Sequence, residues 1–368
     1  MIKELWNEKK RNYPYNVLDM VFGEIRKPEV VDSLRYGVDT PKLAEGIDTL
    51  VKELPSEIRR IFLMYVKGGM SFETIAKTEE LPVEVVRDRV ALTLRHLRKP
   101  EQSKLLQDYL GYPMPMGAVI GDIIGSRFQF DDSVSNDFDF FTLKNTCSVN
   151  GLAAIAVAKA LSEAKDGSDE EIKVALSSAM DELAIQTPVP DESIAGAASF
   201  IGWCARNEQE VKRLTSLLTE LSRNPKKALN NAEAVAMAIH LAQNGMPKNQ
   251  ICFKIRHRYY HKIFPQTSFL QGYIPRLIQY DSLYEMYRSG KVETVPAAVA
   301  CAFDGKDFED AIRKAVFLGG NSSAVVAITG AIAEAFYGGV PREMKLFAKM
   351  YFPDEVWTTL KNIRWSVR

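Results

Sequence analysis

Met116-Gly-Ala-Val-Ile-Gly-Asp-Ile-Ile-Gly-Ser-Arg-Phe-Gln-Phe130 is an apolar, small-residue stretch with glycine at 117, 121 and 125. That spacing puts the glycines on one stripe of a helix, where a missing Cβ lets a second helix or a ligand approach the backbone. A membrane helix could use the same pattern, but Asp122 interrupts it and the apolar run is too short to span a bilayer. The stretch therefore reads as part of a packed core. A separate small module precedes it, and a large helical domain follows whose pocket it should help to line.

The chain has 368 residues, enough for one large domain and one small one. Apolar residues make up 46% and charged residues 26%, the balance of a water-soluble globular protein. Met1-Ile-Lys-Glu-Leu-Trp6 has no apolar signal core, and no later run reaches transmembrane length, so no membrane role is expected. Cys147, Cys204, Cys252 and Cys301 are far apart and form no CxxC pair, which predicts reduced thiols in a cytoplasmic protein and no zinc site. Net charge is zero, so any case for nucleic acid rests on local basic stretches.

From 115 onward the apolar periodicity is helical, with no run of alternating β-branched residues, and the domain is expected to be all-α. Helices are predicted at 152–163, 170–183, 228–243, 294–303, 308–318 and 324–337. Three segments place small polar residues before apolar helices: Gly125-Ser-Arg-Phe-Gln129, Cys147-Ser-Val-Asn-Gly151 and Gly319-Gly-Asn-Ser-Ser323. Such residues are N-caps by default, and Gly319-Gly320 also suits an anion cradle of free backbone N–H groups. His257 and His261, in Arg256-His-Arg-Tyr-Tyr-His261, have a metal-compatible spacing but no third ligand, and read as a basic, aromatic helix face.

Taken together, Gly117–Ser126, Ser148–Leu161, Val295–Ala300 with Phe303, Gly305-Lys-Asp-Phe-Glu-Asp-Ala-Ile-Arg313 and Gly319–Pro341 resemble the ADP-ribosylglycohydrolase family, in that order. The resemblance spans 115–345 and is vague between about 165 and 290. It implies a large orthogonal helical bundle over 115–368. It also implies a binuclear magnesium centre beside the ribose, held by acidic side chains at three places. The matching positions here are Gln129, Ser148 with Asn150, and Asn321 with Ser322 and Ser323; all are neutral. Magnesium needs anionic oxygens to offset its dehydration, and two ions in one site need them more. No metal cofactor and no catalytic residue are therefore expected. The amides and hydroxyls, with Gly319 and Gly320, remain candidates to bind ADP-ribose or a relative. Asp122 reads as a structural partner of a helix terminus, and Asp131-Asp132 as a solvated loop. The family's diphosphate loop maps to Ile194-Ala-Gly-Ala-Ala-Ser-Phe200, followed by Trp203, which reads as core.

In the preceding module (1–112), residues 1–50 suggest one helix near 17–24 and no chemistry. Beyond them Leu54-Pro-Ser56 begins a helix with Ser56 as N-cap, Ser71 caps a second, and Pro82 opens a third over 83–98. Val86, Val90, Leu94 and Leu97 form its core stripe, which gives a helix-turn-helix. Residues 54–110, including Met70-Ser-Phe-Glu-Thr-Ile-Ala76 and the tail from Lys99 to Leu110, resemble region 4 of bacterial sigma-70 factors, which implies contacts with promoter DNA and RNA polymerase. Glu84 and Arg87 could reach base edges, while Arg89, Arg95, Arg98 and Lys99 could meet phosphates. Glu79 and Glu80 in the turn oppose phosphate, so a packing module that keeps only the fold is an equal reading.

Three functions follow from these readings. The leading one is a catalytically inactive, ligand-responsive transcription regulator that binds an ADP-ribose-like molecule in the large domain. The others are a hydrolase of an ADP-ribosyl bond with an altered or absent metal centre, and a structural protein without ligand.

Overall fold

The structure, a computed structural model, describes residues 49–66, 68–97, 115–130, 138–264, 278, 280–341, 344–345, 348–352 and 356. The chain divides into two compact units, Met1–Pro113 with Val367–Arg368, and Met114–Ser366. Among the described residues both are helical, with one isolated β-bridge between Val189 and Ser222. No described helix is long and apolar enough to cross a membrane.

The small unit contains α1 (Ser56–Val66), α2 (Phe72–Glu79) and α3 (Val83–Leu97). Arg59 N–H bonds to the Pro55 carbonyl, so α1 starts with Ser56 inside its first turn and not as its cap. Ser71 does cap α2, accepting the Thr74 N–H at 3.2 Å, and Glu80 closes it in the left-handed conformation. Ile61, Phe62, Ile75, Val86 and Val90 are buried together as the amphipathic pattern requires. The expected helix near 17–24, the connector at 113–114 and the tail after 97 lie outside the described residues.

The large unit runs α4 (Gly117–Ser126), α5 (Val149–Ala164), α6 (Asp169–Glu182), α7 (Asp191–Ala197), α8 (Ser199–Cys204), α9 (Glu208–Thr219), α10 (Pro225–Gln243) and α11 (Lys248–Ile255). A π turn (Arg256–Tyr260) extends α11, and α12 (Tyr280–Arg288), α13 (Thr294–Asp304), α14 (Phe308–Leu318) and α15 (Ser322–Tyr337) follow. Helix α15 is buried from Ser322 to Phe336 and packs against α4, α10, α13 and α14. Polar caps define many of the starts. Ser168 and Glu171 form a reciprocal capping box on α6, Asn207 caps α9, and Asp307 caps α14.

The closest packing is between α4 and α15. A Cβ at Gly117, Gly121 or Gly125 would lie 2.3, 2.2 or 2.5 Å from the carbonyl oxygens of Gly330, Val326 and Ser322. Backbone therefore meets backbone along the whole glycine stripe, which no residue with a Cβ allows. The buried Glu334 carboxylate on α15 accepts the Gly117 N–H at 2.7 Å and so caps the start of α4.

Two expectations fail here. Gly125–Gln129 ends a helix and does not precede one: the small residues before it are the helix, and Phe130, at φ 59°, turns the chain away. Residues 194–200 form no loop over a ligand. They belong to α7, α8 and their junction and are buried among the neighbouring helices α5, α10 and α15. Trp203 is core, as read from the sequence.

Candidate functional site

The middle of α4, the start of α5 and the start of α15 meet at Asp122. This carboxylate is completely buried, and the segments on which the sequence placed its site residues close around it. Ser148, the N-cap of α5, donates its hydroxyl to Oδ1 at 2.5 Å and its N–H to Oδ2 at 2.6 Å. Ser323, in the first turn of α15, donates its hydroxyl to Oδ1 as well. The Asn150 amide donates to Ser148 Oγ at 3.1 Å and to Ser323 Oγ at 2.8 Å. Its carbonyl accepts the Ser193 hydroxyl of α7 at 2.6 Å. Gly151 is required beside them, since a Cβ there would lie 2.6 Å from Asp122 Oδ2.

Proton allocation in this network is self-consistent. Ser193 donates to Asn150, Asn150 donates to two serine oxygens, and both serine protons are directed at Asp122. Burial pushes the Asp122 carboxyl above its ordinary value, while hydrogen bonds from Ser148, Ser323 and the Gly151 backbone oppose that shift. The donor set at these positions is thus one carboxylate, already saturated with hydrogen bonds, surrounded by neutral hydroxyls and one amide. Among the described residues no group of three His, Cys, Asp or Glu is placed to hold a metal ion.

The other expected residues are positioned differently. Ser322 is buried and donates to the Phe128 carbonyl at 2.8 Å, tying the end of α4 to α15. Gln129 is exposed, and the neighbouring Phe130 N–H bonds to the Gly320 carbonyl at 2.7 Å. Gly319 and Gly320 adopt φ 77° and 68°, which presents the start of α15 to an open cleft. Asn321, its N-cap, makes no side-chain capping bond.

That cleft has a volume of about 670 Å³, and Phe130, Glu192, Lys227, Tyr287, Gly320 and Asn321 are in its wall. Lys227 pairs with Glu293 at 3.0 Å, and the Tyr287 hydroxyl lies where a Gly320 Cβ would come within 2.8 Å. With Arg288 also present, two cations balance two carboxylates around the opening. Glu192 precedes Ser193, so α7 contributes to both the cleft and the buried network. Sequence reasoning missed Ser193, Glu192, Lys227 and Tyr287. They come from three unrelated segments, and no spacing connects them.

Residues 142–347 match the family model for ADP-ribosylglycohydrolase, more than half of the chain. The chain belongs to that family. A solved structure titled "ADP-ribosylglycohydrolase-related protein complex" is also similar, at 17% identity and a TM-score of 0.45, covering 64% of this chain and 96% of its own. No curated protein sequence matches. In this family member, the matched region includes α5, α7 and α15, and so every donor to Asp122.

In the small unit, Glu84 is exposed at the start of α3. Arg87 lies over the Phe72 ring and pairs with Glu73 at 3.4 Å, and Arg89 pairs with Glu57. Glu79 is largely buried against Arg60. Glu79 therefore braces the turn, and two of the expected cations are engaged within the unit itself. The Arg95 side chain, Arg98 and Lys99 lie outside the described residues.

Proposed function

We propose that this family member binds a nucleotide-sugar ligand, ADP-ribose or a relative, without hydrolysing its glycosidic bond. The observation that carries the reading is the closed network around Asp122. Its neutral donors satisfy one another, and its single carboxylate is fully engaged by hydroxyls and N–H groups. Such a set does not fit a magnesium pair, which needs several free anionic oxygens. Without metal-bound water, the family's hydrolytic route has no nucleophile.

The adjoining cleft supplies what a ligand needs in place of metal. Gly320 offers backbone at a helix start, Glu192 and the Asn321 side chain can bond ribose hydroxyls, and Phe130 and Tyr287 offer ring faces. The small unit would then pass ligand occupancy to DNA or RNA polymerase. The internal pairing of Arg87 and Arg89 favours contact with protein or phosphate backbone over base reading.

Isothermal calorimetry with ADP-ribose, with and without Mg²⁺, tests the central claim. Metal-independent binding with no product formed is expected. Strict dependence on Mg²⁺, or turnover of an ADP-ribosylated peptide, would restore the hydrolase reading. Absence of any binding would leave a structural protein.

A further inference from the structure

No Asp or Glu occurs from 234 to 280, although Asp and Glu number 47 in the whole chain. The same stretch carries Lys248, Lys254, Arg256, Arg258, Lys262 and Arg276. The structure shows where part of this charge is displayed. Ile251, Ile255, Tyr260 and Phe264 are buried on the inner side of α11 and its π turn. The step from 255 to 260 is one residue longer than its neighbours, and the π turn at Arg256–Tyr260 absorbs the extra residue.

The outer side is left with a regular pattern. Phe253-Lys254, His257-Arg258 and His261-Lys262 are all exposed, each a ring followed by a cation, at successive four-residue steps. Four helical residues advance about 6 Å, so the three pairs form a strip roughly 12 Å long from first to last. The Phe253 and His257 rings are already stacked, with centroids 5.9 Å apart. Glu208 lies near Lys254 and Arg258 at 3.9 and 3.7 Å, and Glu233 takes Arg258 at 3.0 Å. No acidic partner is recorded for Lys262 among the described residues.

A solvated basic face needs no exposed phenylalanine and no repeated ring. Rings alternating with cations are what a strand of bases and phosphates requires, because every base has a π-face and every linkage a charge. We propose that this strip, on the opposite side of α11 from the core, is a docking surface for single-stranded nucleic acid. The assignment is independent of what the cleft binds.

The test is fluorescence anisotropy of the full chain with a labelled oligothymidine across a salt series, with inorganic polyphosphate as a competitor that has charge but no bases. Lys254→Glu/Lys262→Glu should weaken binding by roughly tenfold and lower the log–log salt slope by about 1.4, two phosphates at about 0.7 each. Phe253→Ala should weaken oligothymidine by about fivefold or more and leave polyphosphate competition unchanged. Unaltered melting temperatures establish that both variants fold. Failure of the unaltered chain to bind at low salt would overturn the proposal. So would full affinity in the double lysine variant, or loss confined to charge reversal of Arg95 and Arg98 in the small unit. Parallel behaviour of oligothymidine and polyphosphate in every variant would also overturn it, reducing the strip to a general anion patch.

Discussion

Asp122 accepts both donors that Ser148 offers, the hydroxyl at 2.5 Å and the backbone N–H at 2.6 Å. With Ser323 also donating to Oδ1, each carboxylate oxygen accepts at least one hydrogen bond. Asp122→Asn would place an NH₂ group among these donors and leave some of them facing one another. A loss of about 2–3 kcal/mol is expected, the cost of unsatisfied buried groups that formerly bonded a charge. Urea unfolding at neutral pH measures it.

The same pair of proteins should differ in pH dependence. Burial raises the Asp122 carboxyl above its ordinary 3.8, so the native state holds this proton over a range where the unfolded chain has lost it. Its contribution to stability is therefore largest below the ordinary value and declines as pH rises through the folded value. The stability gap between wild type and Asp122→Asn should widen toward acid and level off at higher pH. Unfolding curves collected from roughly pH 4 to pH 8 would show it. A gap that widens toward alkali would mean that the hydrogen bonds outweigh burial.

Ser323→Asp tests the reading of the neutral network from the other direction. It sets a second carboxylate against Asp122 in a buried space, and like charges there are costly. Stability should fall by about 2–4 kcal/mol in the absence of divalent ions, with partial recovery in Mg²⁺. Thermal melts with and without the ion distinguish this from simple crowding, which Mg²⁺ would not relieve.

Gly121→Ala should be among the most damaging single substitutions. The new methyl would lie 2.2 Å from the Val326 carbonyl oxygen, which belongs to helix backbone and cannot rotate away. A loss of about 3 kcal/mol or more is expected by chemical denaturation. Gly196→Ala provides the control, since its nearest neighbour would be Ile328 Cγ1 at 3.6 Å.

The thiols should be inert in the native chain. Burial pushes Cys204 and Cys252 up to about 12, and raises Cys147 and Cys301 as well. Thiolate is the reactive form, so an aromatic disulfide reagent should label the folded protein slowly and the unfolded protein at all four cysteines.

What could be read from the sequence was decided by how local the signal is. The 308–318 helix was predicted with the bounds observed, because its apolar period and its Asp307 cap are both local. The glycine stripe was legible for the same reason, since its spacing already states that something must approach closely. Small residues elsewhere were ambiguous. Gly125–Gln129 and 194–200 look the same in sequence whether they make a turn, a loop or a tight helix contact, and only the opposing helix decides. Between 165 and 290 the family resemblance is weak, which left α7 to α9, α11 and α12 unassigned. The cleft residues Glu192, Lys227 and Tyr287 come from that region and from different helices. Asp122 was half legible: its role at a helix terminus could be inferred, but not that Ser148, Asn150 and Ser323 would all converge there.

Helices α4 and α15 touch at their main chains, with no side chain between them to yield. Asp122 follows Gly121, and Ser323 lies against Gly125, so the distance from that carboxylate to that hydroxyl is the separation of the two helix axes in another form. Rotamer changes in the surrounding core cannot open or narrow it. The geometry of the buried network is thus a fixed dimension of the fold, set by two main chains in contact and not by side-chain motion.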